Sequence, residues 1–425
     1  MAASIGLPES LLERPLPEVP KGIESEPSVF MLLSTPNGAG VNFTALRKVT
    51  YKIDLNGQML RTSQQPPIAT GYAELPPLPD GRKGSFSHIP EARASQSGTD
   101  LIIRAFARSA APVREMMVGV KVGKVSHRVR VFGDRVTRYA NGQLSFSEPE
   151  LFTEMPLRYE LAYGGYDSAF FGAVCDALRA KLGDEEWRRN VAFFRDALPK
   201  TVPCVYARNL IGKGYLADVT EALLDGVELP NLEREDDLLT PARFSRGSAL
   251  DWLQRPIPAG FDFFDIRMFP RTAMLGLPPP EQSCDWAKSP EVLRGLIPNG
   301  FSAGNVISAQ PDQLPNLVHG DAGRCAAPGL RLPRLAGGEK IRLIGMQVEQ
   351  PIAELVLPAE RPVFGVPGVG EVHTSLFQVF IDVEEARCTL LWAGHWSAPA
   401  ALGEEERAQL TASIVTKVEA TEKSS

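Results

Sequence analysis

The chain has 425 residues, long enough to bury a full core and to divide into two or three domains. Hydrophobic residues at 44% and charged residues at 23% lie in the globular range, against a disordered chain or a membrane protein. A formal net charge of −6 offers no general attraction to nucleic acid or anionic lipid.

The 37 glycines and 36 prolines follow no period, a composition that favours many turns between short strands. No window approaches eighteen uninterrupted apolar residues, so no spanning helix is expected. The first 22 residues lack a basic segment followed by an apolar run, which argues against a secretory signal. Five scattered cysteines without a Cys-x-x-Cys pair read as reduced thiols in the cytoplasm, with no disulfide framework or structural zinc.

In chain order, residues 1–28 read as a Pro-rich, loosely held arm, and Val29–Leu33 as a short apolar run. Val49, Tyr51 and Ile53 alternate with Thr50, Lys52 and Asp54, and Asn56-Gly57 supplies a hairpin turn. Residues 64–84 read as a surface loop, and Asp100–Arg108 as a strand with Leu101, Ile103 and Ala105 on one face. The clearest hairpin is Met116–Val131 about a Gly123-Lys124 turn. Counting outward pairs Val122 with Val125, Val120 with His127, Val118 with Val129 and Met116 with Val131. His127 then lies on the apolar face, as a buried, hydrogen-bonded side chain.

Leu157, Tyr159 and Leu161 alternate with Arg158 and Glu160, predicting a further strand stopped by a tight turn at Gly164-Gly165. A helical insertion follows over 168–200, carrying Leu178, Leu182, Trp187, Val191 and Phe194, with Asp184 capping a second helix from Glu185. Residues 201–335 are loop-rich, with short helices near Val219–Leu224 and Glu291–Leu296. Strands return at Ile341–Val348, Ile352–Leu357, Leu376–Val383 and Cys388–Trp392. Glu404–Ala420 reads as an amphipathic helix with Leu410, Ile414 and Val418 at i+4 steps. The expected fold is mainly antiparallel β, sandwich-like, with helical insertions, and α+β overall. Its parts are the arm 1–28, a main domain 29–335, a β segment 336–400 packing on the same core, and a helix and tail 403–425.

Signatures of chemistry are sparse. A P-loop ending at Gly212-Lys213 would need glycine where Ala207 stands, and Gly214 replaces the magnesium-holding hydroxyl. No Gly-x-Ser-x-Gly elbow occurs. His88, His127, His319, His373 and His395 show no metal-binding spacing. His319-Gly-Asp321 with Cys325 is the nearest approach, and reads more simply as a hydrogen-bonded loop. Glu233, Glu235, Asp236 and Asp237 offer carboxylates to a glycosidase, although a solvated run is the plainer reading. Trp392 and Trp396 flank Gly394-His395, where they form either a shelf for sugar or, as favoured here, the end of a sandwich core. No catalytic residue, metal or cofactor is predicted.

Five segments taken together carry a resemblance. They are Lys48-Val49-Thr50-Tyr51; Gly133-Asp134-Arg135; Met155–Glu160 with Ala162-Tyr163-Gly164-Gly165; Asn209–Tyr215 with Gly212 and Gly214; and Leu229-Pro230-Asn231-Leu232-Glu233. In this order they resemble a bacterial domain-of-unknown-function family encoded beside type VI secretion spike and toxin genes, some members of which act as effector-loading adaptors or chaperones. The chain departs from the family after Pro270-Arg271, where Leu275-Gly276-Leu277-Pro278 replaces a Gly-Thr-Tyr-Asp turn and Trp286 is displaced.

The resemblance implies a non-enzymatic cytoplasmic adaptor whose partners are a toxin effector and a valine-glycine-repeat spike protein. It implies no catalytic residue. Interfaces of that kind concentrate their energy in a few aromatic and arginine anchors. The candidate surface is therefore Arg158, Tyr163, Tyr166, Trp187 and Tyr215, with Gly164, Gly165, Gly212 and Gly214 shaping its turns and the C-terminal helix as a second face. Tyr163 and Tyr215 equally fit a role in packing the framework. Two other readings stay open: a β-sandwich enzyme acting on carbohydrate near Glu233, and a carbohydrate- or envelope-binding module using Trp392 and Trp396.

Overall fold

The hairpin around Gly123 forms in the predicted register, Val122↔Val125 through Met116↔Val131. Gly123 has φ +55°, as a turn with glycine at its first central position requires. The computed structural model describes residues 28–34, 41–63, 65–76, 84–91, 96, 98–189, 206, 208–217, 223–244, 255–264, 324–398 and 404–420.

Two sheets carry the architecture. The first has seven strands. Six of them run in the order β1 (Ser28–Ser34), β2 (Val41–Ile53), β22 (Arg387–Ala398), β21 (Ser375–Asp382), β6 (Thr99–Arg104) and β16 (Arg331–Leu332), and β3 (Met59–Arg61) also pairs with β2. All its pairings are antiparallel except that of β21 with β6. The second runs β15 (Leu232–Arg234), β9 (Val125–Phe132), β8 (Glu115–Val122), β17 (Lys340–Ile344) and β18 (Ile352–Val356). Val49, Leu101, Val379 and Leu390 of the first sheet share one core with Val118, Val129, Ile341 and Leu355 of the second. The fold is thus mainly antiparallel β and sandwich-like, as expected from the turn-rich composition.

A three-stranded sheet, β20 (Gly370–His373), β19 (Glu360–Val366) and β23 (Val415–Ala420), encloses a smaller cluster with Phe43, Phe364 and Ile414. Four strand pairs complete the framework: β4 (Ala73–Glu74) with β5 (Phe86–His88), β7 (Phe106–Val113) with β12 (Phe152–Pro156), β10 (Thr137–Ala140) with β11 (Gln143–Phe146), and, in parallel, β13 (Tyr163–Gly164) with β14 (Lys213–Gly214). The expected insertion is helical over α1 (Ser168–Leu182) and again over 184–189. No described helix is long and apolar enough to cross a membrane.

Several expectations are corrected. The strand predicted over Leu157–Leu161 is not formed: β12 ends at Pro156, the Leu157 N–H makes one more bond to the Ala105 carbonyl at 3.0 Å, and Tyr159–Leu161 forms a 3-10 turn. Gly164 is the last residue of strand β13 and Gly165 follows it at φ +102°, with no tight turn at the pair. β6 is buried on both faces, Ile102 as completely as Leu101 and Ile103, so the predicted one-sided alternation does not hold. The C-terminal helix α2 (Glu404–Ser413) stops seven residues early. Its expected last turns are β23, where β-branched Val415, Thr416 and Val418 take the free edge of β19. Leu410 and Ile414 pack inward as predicted, whereas Val418 is 53% exposed. β19 and β20 were not anticipated. The helix near Glu291–Leu296, the Leu275–Pro278 segment, Trp286, Val191 and Phe194 lie outside the described residues, as do 219–222 of the other short helix.

Candidate functional site

The segments singled out in the sequence converge on one interlocked region beside the end of β9. Arg135 donates to the Glu233 carboxylate and to the Pro230 carbonyl, while its guanidinium lies 3.7 Å from the centre of the Phe132 ring. The second Glu233 oxygen accepts the Leu239 N–H at 2.7 Å. Asn231 donates to the Phe132 carbonyl and to the Asp134 carboxylate, and Lys213 reaches that carboxylate at 3.5 Å. Burial pushes the Glu233 carboxyl up, and the Arg135 charge and Leu239 N–H act against that rise.

The Gly-Gly segment is stitched to its partner by side chain and backbone together. Asn209 Nδ2 donates to the carbonyls of Tyr159 and Tyr163, at 2.8 and 3.1 Å. Gly165 N–H donates to the Asn209 carbonyl, and Tyr215 N–H to the Gly164 carbonyl. A Cβ on Gly164 would stand 2.3 Å from Asn209 O, so only glycine permits this approach. Asp167 caps α1 through the Phe170 N–H and also accepts the Ala217 N–H, which fixes the helical insertion to this framework.

Three tyrosines stack within it. Tyr206 packs edge-on to Tyr163 at 5.1 Å and lies 5.4 Å from Tyr215, and Arg255 donates to the Tyr163 hydroxyl at 2.8 Å. Burial pushes the Tyr163 hydroxyl up to about 12, and the Arg255 charge opposes this. Tyr163 and Tyr215 are 1% and 5% exposed, so their rings pack the framework and present no surface to a partner. Tyr166, by contrast, is 41% exposed and in ring contact with Phe171 at 5.6 Å. Arg158 and Trp187 are half-buried.

A cleft of about 990 Å³ opens elsewhere, on the side of β2 that carries Lys48, Thr50 and Lys52, with Phe380, Asp382 and Arg387 on the neighbouring strands. Lys48 pairs with Glu91 at 2.9 Å, and the Thr50 and Thr389 hydroxyls bond to each other at 3.1 Å. Among the described residues no group of three or more His, Cys, Asp or Glu could hold a metal ion. His319 and Asp321 lie outside those residues, and Cys325 is buried with its thiol 3.6 Å from Gln378 Oε1.

A family model described as an uncharacterized protein conserved in bacteria (DUF2169) matches residues 40–393. The chain belongs to the DUF2169 family. No curated protein and no solved structure matches it.

The DUF2169 match runs from the start of β2 to within β22 and so contains the whole interlocked region, while β1, α2 and β23 fall outside it. Within this DUF2169 chain the structure brings together Tyr163, Tyr215 and the four glycines, and leaves Tyr166 just before the helical insertion and Trp187 on it. Glu233, considered above as a carboxylate for sugar chemistry, is 2% exposed and bonded inside the framework. Trp392 is core, and Trp396 stacks on Phe43 at 5.7 Å, which closes the end of the sandwich as favoured above. Sequence reasoning missed Tyr206 and Arg255, which carry no local pattern. It also missed the cleft, whose only signal was the polar half of the alternation in β2.

Proposed function

We propose that this DUF2169 protein is a non-enzymatic adaptor or chaperone. It binds a type VI secretion toxin in the cytoplasm and helps load it onto the valine-glycine-repeat spike. The observation that carries the reading is the exposed Tyr166 ring at the root of α1. Asp167 beside it anchors that helix to the framework, so an aromatic group is displayed from a rigid base. Trp187, further along the insertion, supplies a second aromatic. The ordered segments that resemble effector-loading adaptors support the same reading, because those segments build the base itself.

The test is co-expression with a type VI toxin and a spike protein from the same source, followed by size-exclusion chromatography of the purified mixture. A stable complex with either is expected, and replacing Tyr166 and Trp187 together by alanine should weaken it at least about tenfold, the loss of one aromatic anchor. Failure of both proteins to co-elute with the wild-type chain overturns the reading.

A further inference from the structure

The core-facing side of β2 carries an unusual pair of arginines. Arg47, Val49 and Tyr51 alternate onto that side, and Arg61 of β3 faces Tyr51 across the strand register. Arg47 is 9% exposed, its Nε is enclosed without a partner, and its guanidinium makes no hydrogen bond or ion pair among the described residues. The Tyr51 side chain is 5% exposed and makes no hydrogen bond there either, and the exposed Arg61 has no ion pair among the described residues. Other buried arginines of this protein are bonded: Arg135 to Glu233, and Arg324 to Asp100 at 2.8 Å.

A guanidinium taken out of water without a counter-charge is costly, and structures normally pair it or leave it a solvent path. Here the charges acting on Arg47 come from Arg61, Tyr51 and Glu360, so two cations face one carboxylate. Burial and then the Arg61 charge hold the Arg47 guanidinium below its ordinary pKa, and Glu360 only partly offsets them. The buried Cys388 thiol is the remaining titratable group near Tyr51. Two guanidinium groups and a tyrosine hydroxyl displayed from one face supply the donors that a carboxylate or phosphate accepts.

We propose that Arg47, Tyr51 and Arg61 form a binding site for a compact oxyanion, a carboxylate or a phosphate, with Arg61 at its open side. The site lies on the face of β2 opposite the polar cleft and stands independently of the adaptor reading.

The thermal midpoint of the full chain, measured in sodium phosphate and in sodium acetate against sodium chloride at matched ionic strength, tests this. A midpoint that rises with phosphate alone assigns a phosphate; with acetate alone, a carboxylate; with both, any oxyanion of that size. Arg47→Met should abolish the response. Arg61→Met, at an exposed position that tolerates change, should weaken the apparent affinity about tenfold, the scale of one charge-assisted contact. Arg128→Met, on the exposed side of β9, should leave the response intact. No rise above chloride with either anion, or an undiminished response in both Arg47→Met and Arg61→Met, overturns the proposal.

Discussion

Arg135 and Glu233, 98 positions apart, meet in a buried ion pair whose side chains are 7% and 1% exposed. The pair joins the end of β9 to β15, and Leu239 N–H and the Pro230 carbonyl complete its bonding. Removing one member leaves the other charge buried without compensation. Arg135→Met is therefore expected to cost about 3–5 kcal/mol of stability. Replacing both residues by methionine should cost less than the sum of the single changes, because no orphaned charge remains. Urea unfolding of the two single variants and the double variant measures this coupling, and strict additivity would count against it.

Gly164 and Gly172 should respond to alanine in opposite directions. At Gly164 the backbone has φ +150° and a Cβ would press on Asn209 O at 2.3 Å, so Gly164→Ala is expected to destabilise by about 2–5 kcal/mol. Gly172 sits inside α1 with nothing within 4 Å of a built Cβ. Gly172→Ala should stabilise by about 0.5–1 kcal/mol through helix propensity. Thermal melts of the two proteins decide; a neutral Gly164→Ala would mean that the parallel β13–β14 contact can relax.

What was legible in the sequence depended on period and local chemistry. The hairpin register was readable because Val118, Val120, Val129 and Val131 alternate strictly about a glycine turn. β6 was only half readable, since a strand covered on both faces loses the alternation that marks a face. Residues 158–161 misled because Glu160 alternates like a solvent-facing residue and yet lies buried, accepting the Ser85 N–H and hydroxyl. The ordered segments pointed to one region, but their partners were hidden. Tyr163 meets Arg255 across 92 positions, and no spacing along the chain encodes such a contact. The buried and exposed tyrosines differ by fold alone: Tyr163 and Tyr166 are three residues apart with opposite environments.

The C-terminal strand offers a test of cooperativity at the rim. β23 covers one edge of β19, and Ile414 just before it packs with Phe43, Phe364 and Val366. A chain ended after Ser413 loses both. Amide exchange over Glu360–Val366 should then accelerate at least about tenfold, while β8 and β9 keep their protection, because opening is local to weakly held units. Unchanged exchange in β19 would show that β20 and the Phe43 cluster hold it unaided.

His127 ties stability to pH. Its ring is 8% exposed and stands edge-on to Phe261 at 5.0 Å, and its Nε2 donates to the Gly260 carbonyl at 3.1 Å. Burial lowers its pKa from the ordinary 6.5 to about 4; the Gly260 bond opposes this and the Arg234 charge adds to it. A base with a depressed pKa in the folded state binds its proton more readily when unfolded. Its contribution is therefore complete above pH 6.5 and is lost as pH falls from there towards 4, at most about 3 kcal/mol for this shift. His395, also lowered to about 4 by burial, adds to the loss in the same window. His127→Gln retains an amide donor for Gly260 but cannot titrate. Urea unfolding at a series of pH values should give a shallower decline for His127→Gln than for the wild type, with His395 and His88, both lowered by burial, contributing to what remains. Two parallel pH profiles would place the acid sensitivity of this fold on groups other than His127.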